Sequence, residues 1–336
     1  MEPSRPDRCL LLASLRSNHA GNPETAARLV ESAREAGADG IVLERRTAEQ
    51  AAVRQVLDRP SRKYHALGST YRKALERLDL APEAVARICE RAGGLKMKIY
   101  LAPYDLEALE QSRSWPKAGW KIPASVATHS ALVSAASASG ASLIASVSGC
   151  SEREATDLVS VLPAGSILLH ELADPRAGRE IQEVAYLASL RRFGFPVGYA
   201  DAARKPLTAL LAVAMGAQVV EKPITLERES GGPDSSRSLI PSEFREMAQR
   251  IRELEAQMRS PTLRDPAPEE MDRLDWDRPS IVAACRIPKG TEIREEMLAL
   301  KPPFRSLAPR LLPELVGRRA RYDIAEDEHL TMGMIE

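Results

Sequence analysis

The sequence predicts an α/β chain in which a (β/α)8 barrel is followed by a small β-rich domain. Three observations carry this. Short apolar runs alternate with helix-period segments eight times within roughly 250 residues, the repeat and length of a closed parallel barrel. No G-x-G-x-x-G follows the first apolar run, which leaves the doubly wound open sheet as the weaker alternative. Near residue 260 the alternation stops in a charged, proline-rich stretch, and the remainder changes character.

Each element has a local reason. Cys9–Leu15 is short and apolar, a buried strand. Pro23–Ala36 starts on a proline, aligns Ala26, Leu29, Val30 and Ala33 on one face and stops at Gly37, which makes it a helix. Gly40–Leu43 is the next strand, Pro82–Ala92 a helix, Met97–Ala102 a strand and Asp105–Ser112 a helix with Asp105 as its cap. Gly119–Ile122 (strand), Thr128–Ala138 (helix), Leu143–Val147 (strand) and Glu152–Val161 (helix) continue the alternation. Ser166–Leu172, Arg179–Arg192, Val197–Ala200, Pro206–Met215, Val219–Ile224 and the long charged helix Pro241–Arg259 complete it. The barrel is therefore expected over residues 9–257, a linker over 258–278 and the small domain over 279–336. In that last domain Ile281–Ala284, Arg321–Ile324 and Leu330–Met332 read as short strands, Pro288–Gly290 as a turn and Arg294–Leu298 as a helical turn.

Composition narrows the function. Basic and acidic residues balance at 47 each, which argues against a nucleic-acid binder. A 44% hydrophobic share permits a sizeable core, built from Ala, Leu, Val and Ile because aromatics reach only 4%. Arginine outnumbers lysine 37 to 10; this could suit anionic ligands, but genome composition bias is the better explanation. Cys9, Cys89, Cys150 and Cys285 are scattered with no CxxC pair, so neither a zinc ribbon nor a disulfide framework is expected, and reduced thiols fit a cytoplasmic protein. No apolar stretch reaches 18 residues and no cleavage-site pattern is present, so neither a membrane span nor a secretion signal is expected.

Barrel ligands meet the C-terminal ends of the strands. The polar residues expected there are Ser14, Asn18, His19, Glu44, Asp105, Lys121, Ser146, His170, Asp201, Glu221 and Lys222. Asn18 and His19 could equally cap the helix near Pro23, and Glu221 could pair with a barrel lysine as buried scaffolding. Lys121 ends an otherwise apolar strand before Pro123, so it is a candidate for an anion or a Schiff base. No Ser-His-Asp set, P-loop or HExxH occurs, and five histidines supply a multi-histidine metal site poorly.

The strand-end segments carry a resemblance. "LASLRSNHAGNPETAARLVESAREAGADGIVLE" is similar to an opening in which A-E-I-G-x-N-H-x-G precedes a helix and then A-G-A-D-x-x-K-F-Q. "YLAPYDLEALE", "KIPAS", "IASVS", "ILLHELADP", "FPVGYADAA" and "QVVEKPITLE" follow in matching order, and "RPSIVAACRIPKGTEI" through "LVGRRARYDIAEDEHL" resembles an antifreeze-like (SAF) domain. The chain thus resembles the N-acetylneuraminate (sialic acid) synthase family from about Leu11 to the end. The resemblance implies a TIM barrel plus SAF domain, often a homodimer in which one chain's SAF domain covers the other's barrel mouth. It implies condensation of phosphoenolpyruvate with an N-acetylated hexosamine or its 6-phosphate. It also implies a divalent metal such as manganese or magnesium, held by two histidines.

Where that chemistry lives, the sequence departs from the pattern. The glutamate of A-E-I-G falls on Ser14, and the lysine and glutamine of K-F-Q on Val42 and Glu44. The threonine of T-P-F-D is Ala102, and the serine and glutamate of K-I-A-S-G-E are Ala124 and Val126. The two metal histidines fall on Ala202 and Pro223, a neighbouring serine on Ala200, and the sugar-contacting arginine of the SAF domain on Pro302. After His170 a tyrosine is missing and the segment is one residue shorter. Asn18, His19, Lys121, Ser146, Tyr199, Asp201, Glu221, Lys222 and Asp234 remain. A degenerate homologue acting as a binding or regulatory scaffold is therefore expected, with no cofactor, a small anionic or sugar ligand, and Lys121 and Ser146 at one mouth. The ligand candidates are these two with Asn18, His19, Glu44, His170, Asp201 and Asp234. Metal-free chemistry using Lys121, Glu44, His170 and Asp201, and the ordinary synthase with compensating residues, stand as alternatives. Neither Asp201 nor Glu221 is expected to project where Ala202 and Pro223 do.

Overall fold

The structure is a computed structural model that describes residues 8–61, 64–171, 180–229, 232–258 and 267–336. It divides into two compact units, Met1–Ser260 and Pro261–Glu336.

The first unit is a closed barrel of eight parallel strands: β1 (Leu10–Ser14), β2 (Gly40–Arg45), β3 (Lys98–Pro103), β4 (Gly119–Ile122), β5 (Ser142–Ser146), β6 (Ile167–Glu171), β7 (Val197–Ala200) and β8 (Val219–Pro223). β8 closes the ring on β1, with Leu10 opposite Val219 and Ser14 opposite Pro223. Successive side chains point to opposite faces of a strand, so each strand contributes one set to the barrel interior and one to the helices. Leu12, Val42, Tyr100, Ala102, Ile144, Leu169, Ala200 and Val219 form the interior cluster. Their neighbours Leu11, Ile41, Leu101, Trp120, Leu143, Leu168 and Val220 join the larger core beneath the helices.

The helices begin where their chemistry says they should. Pro23–Glu35 is capped by Asn22, whose side chain accepts from Thr25 N–H. Leu106–Gln111 is capped by Asp105, which accepts from Ala108 N–H at 2.7 Å. Glu152–Ser160 carries a full capping box between Ser151 and Glu154. Between β2 and the helix Pro82–Gly94 lie two further helices, Arg54–Leu57 and Tyr71–Leu78. Sequence periodicity passes over them because only Ala74, Leu75 and Leu78 of the second are buried, although Thr70, its cap, marks the start.

The second unit corrects two expectations. The proposed linker holds a helix, Pro268–Asp277, because Pro268 occupies the first helical turn, where its missing N–H costs nothing, and Glu270 accepts from Ala267 N–H at 2.7 Å. Residues 259–266 of that linker, and Arg259 of the long barrel helix, lie outside the described residues. Strand β9 (Ser280–Ala283) pairs antiparallel with β10 (Leu298–Lys301), a strand not expected from the sequence. Arg321–Ile324 and Leu330–Met332 are not strands. Around them the backbone pairs only through single bridges, such as Ile287 with Ile324 and Val282 with His329. The core there is Ile281, Ile287, Ile293, Leu298, Leu315, Ile324, Leu330 and Ile335 with small neighbours.

Candidate functional site

The C-terminal ends of the barrel strands carry the charged chemistry. The even strands each place one ionisable side chain inward: Glu44 on β2, Lys121 on β4, Glu171 on β6 and Glu221 on β8. Each lies two residues along from an inward apolar or small position (Val42, Gly119, Leu169, Val219), so strand parity fixes its direction. In barrels the alternate strands fill a layer together. The odd strands bring small groups instead, among them Ser14, Ala102, Ser146 and Ala200.

Lys121 is buried, with its ammonium 2.6 Å from Glu171 and 3.5 Å from Glu221. Burial works to lower the Lys121 pKa, but the two carboxylates outweigh it and hold the amine protonated. A Schiff base needs the free amine, so this environment opposes that use. Burial works to raise the Glu171 pKa, but Lys121 overrides it, helped by Arg16 and the adjacent Ser146 hydroxyl. Arg16, in the turn after β1, lies in the field of Glu44, Glu221, Asp234 and Glu171, and these hold it charged against burial. Its φ of 45° is left-handed backbone that favours glycine, and it stands at the glycine of the A-E-I-G pattern. Arg46 reaches Glu44 at 3.4 Å and stacks over Tyr104, 3.9 Å from the ring centre. Beside the mouth, a shallow cleft open to solvent is lined by Arg16, Ser17, His19, Glu44 and Tyr64 among others.

The remaining expected site residues have internal partners. Asn18 donates to Ile224 C=O at 2.7 Å and to Ser238 Oγ at 2.8 Å, tying the β1 turn to the chain after β8. It does not cap the helix at Pro23; nor does His19, whose Nδ1 accepts from Gly21 N–H at 3.1 Å. His19 is buried, which pushes its imidazole down to about 4. His170 faces outward from the barrel: Ser148 Oγ lies 3.2 Å from Nδ1 and Glu183 Oε2 lies 2.7 Å from Nε2. Asp201 faces outward too. It accepts from Lys222 Nζ at 2.9 Å, Thr208 Oγ1 at 2.6 Å and Ala203 N–H at 2.8 Å, and both charged side chains are fully buried. Asp234 pairs with Arg237 at 3.0 Å. His170 and Asp201 are therefore corrected from candidates for mouth chemistry to helix-docking groups. A neighbour in sequence points to the opposite face, and for His170 the inward residue is Glu171. Glu221 is corrected the other way. It shares strand parity with Pro223 and turns into the barrel, whereas Asp201 does diverge from Ala202.

Glu171 and Arg16 are the residues that sequence reasoning missed. Alternation counted from Leu169 would have found the first. The second was marked by a bulky residue at a glycine position.

The implied divalent metal does not fit this mouth. Ala202 and Pro223 carry no donor atom, Glu221 is turned to Lys121, and among the described residues no three His, Cys, Asp or Glu side chains gather as a metal site.

Comparison with known proteins gives the family. The model of the NeuB family matches residues 29–262, and that of the SAF domain residues 278–336. The chain belongs to the NeuB family. An uncharacterised protein of Methanocaldococcus jannaschii is 29% identical over 93% of this chain and 90% of its own. The N,N'-diacetyllegionaminic acid synthase of Legionella pneumophila is 28% identical over 98% of this chain and 95% of its own. A crystal structure of a putative spore coat polysaccharide biosynthesis protein E from Chromobacterium violaceum shares the fold. It has a TM-score of 0.80 at 21% identity and covers 98% of this chain and 100% of that one. The chain is thus a NeuB-family protein of carbohydrate biosynthesis with the barrel and SAF domain expected from its sequence. No helix among the described residues is long and apolar enough to cross a membrane.

Proposed function

We propose that this NeuB-family chain does not carry out the family condensation and serves as a binding or regulatory scaffold in a surface-carbohydrate pathway of the cytoplasm. One observation carries the reading: the donor set at the ends of β7 and β8. Ala202 and Pro223 stand at the positions of the two metal histidines, and the inward carboxylate beside them is engaged by Lys121. A Lewis acid would have no seat, and Ser14 and Val126 remove two carboxylates that the resemblance assigns to orienting sugar and moving protons. The partners proposed are a small anionic or sugar ligand and a second copy of the chain.

The second reading, an active synthase, is favoured by Lys121 and Ser146 sharing one mouth around Glu171. Turnover with phosphoenolpyruvate and several N-acetylated hexosamines, with and without manganese, separates the two. The scaffold reading expects no product above a no-enzyme control. Metal-dependent turnover would overturn it.

A further inference from the structure

A second polar constellation stands past the ends of β5 and β6, built on the outward-facing His170. The sequence shows no serine-histidine-acid motif, but the fold assembles the three groups from separate elements. Ser148 follows β5, His170 is on β6 and Glu183 is on the helix Glu180–Leu190. Ser148 Oγ lies 3.2 Å from His170 Nδ1, and His170 Nε2 lies 2.7 Å from Glu183 Oε2. The imidazole is buried and packs against Tyr186 and Tyr199, whose ring centres are 4.8 Å and 6.2 Å away, so its plane is fixed.

Donor and acceptor roles place the protons. An ionised carboxylate only accepts, so Nε2–H donates to Glu183 and Nδ1 carries the lone pair. Ser148 Oγ already accepts from Glu171 N–H, which leaves its own proton for Nδ1. The result is a hydroxyl beside a base, and a base oriented by a third group. The two ring nitrogens serve in the opposite sense to the familiar triad, but either nitrogen takes up a proton. Ser148 is half-buried and next to the exposed Gly149, in the strand-to-helix turn between β5 and the capped helix Glu152–Ser160. Gly149 takes a φ of 77°, and its N–H has no protein acceptor among the described residues. In a nucleophile turn the N–H of the residue after the serine faces the oxyanion.

We infer that Ser148, His170 and Glu183 form a hydrolytic centre for small acyl esters. Ser148 Oγ attacks the ester carbonyl, and its proton passes to His170 Nδ1. The bond from the carbonyl carbon to the alcohol oxygen breaks, and the alcohol leaves with that proton. Water then attacks the acyl-serine by the same route, releasing the carboxylic acid and restoring the hydroxyl. Tyr186, 43% exposed and against the His170 ring, offers an apolar wall for the ester. Glu183 is a positioning residue, holding the imidazole tautomer and the charge it gains. No side chain of the barrel mouth takes part, so this activity and the proposed loss of the family condensation stand or fall separately.

The test treats the full chain with a fluorophosphonate, which phosphonylates an activated serine with loss of fluoride, and follows p-nitrophenyl acetate hydrolysis in parallel. The expected adduct maps to Ser148 by peptide mass, and forming it abolishes hydrolysis. Ser148→Ala should lose both adduct and turnover, and His170→Gln should slow labelling at least about 100-fold. Glu183→Gln should lower kcat at least about tenfold and leave KM within about twofold, a split that a loss of packing alone does not give. Labelling of the parent carries the test if a His170 or Glu183 variant does not fold. A parent chain that takes up no adduct, or takes it up elsewhere, overturns the proposal. So does hydrolysis that survives in Ser148→Ala, or a folded Glu183→Gln chain with the parent's kcat.

Discussion

Replacing Asp201 by alanine should destabilise the barrel by about 3–5 kcal/mol, the cost of leaving one partner of a buried pair alone. The structure supplies the reasons for that magnitude. Asp201 accepts from Lys222, Thr208 and Ala203, and neither charged side chain reaches water. In Asp201→Ala the Lys222 ammonium keeps, among the described residues, the Ala203 carbonyl as its one hydrogen-bond partner. The chain can escape by releasing the lysine proton, a direction in which burial already pushes Lys222. From an ordinary lysine value near 10.4, release at pH 7 costs about 1.4 kcal/mol per pH unit, so the penalty is capped near 5 kcal/mol. For a domain of this size the melting temperature should drop by about 6–20 °C. The assay is thermal melting of the parent, Asp201→Ala, Lys222→Met and the double variant at pH 7 and pH 9. The double variant should recover much of the loss, giving a coupling above about 1 kcal/mol. Raising the pH should relieve Asp201→Ala, because the proton leaves more cheaply. A loss within about 0.5 kcal/mol, typical of an unengaged surface side chain, or strictly additive variants, would refute the buried-pair reasoning.

His19 gives a pH prediction. Burial holds its ring down to about 4 from 6.5, so the folded state favours the neutral form. Stability from this group is full above pH 6.5 and is lost as pH falls toward 4, by up to about 3 kcal/mol. His19→Gln should flatten that part of the acid slope in a melting series, and an unchanged slope would refute it. Association is the other prediction: light scattering at micromolar concentration should give twice the chain mass, and a monomer would count against the homodimer.

The fold was legible because it rests on patterns the chain repeats. Proline starts at Pro23, Pro82 and Pro241, glycine stops such as Gly37, and eight apolar strands are local features that survive without tertiary information. The second unit is less legible because, apart from β9 with β10, its pairings are single bridges, too short to impose an alternation, and because Pro268 starts a helix within a stretch whose prolines suggest a linker. The site was legible as a set of strand ends but not as a set of directions. His170 and Glu171 are adjacent in sequence, yet the first faces the helix Glu180–Leu190 and the second the barrel interior.

Strand parity also explains how such a barrel can keep its architecture while its mouth changes. Outward residues at the strand ends, His170, Asp201 and Lys222, fasten helices through Glu183 and Thr208, so replacing them costs stability. Inward residues at the same level meet one another across the mouth. They need only balance charge and fill space, and Lys121 is content with Glu171 and Glu221 as its counter-ions. Ala202 and Pro223 remove donor atoms without disturbing the outward bonds beside them, since Asp201 and Lys222 still join β7 to β8. Retention of Asp201 and Lys222 is therefore evidence about stability, whereas the inward set of Glu44, Lys121, Glu171 and Glu221 bears on chemistry. On that set the lysine is already neutralised from within.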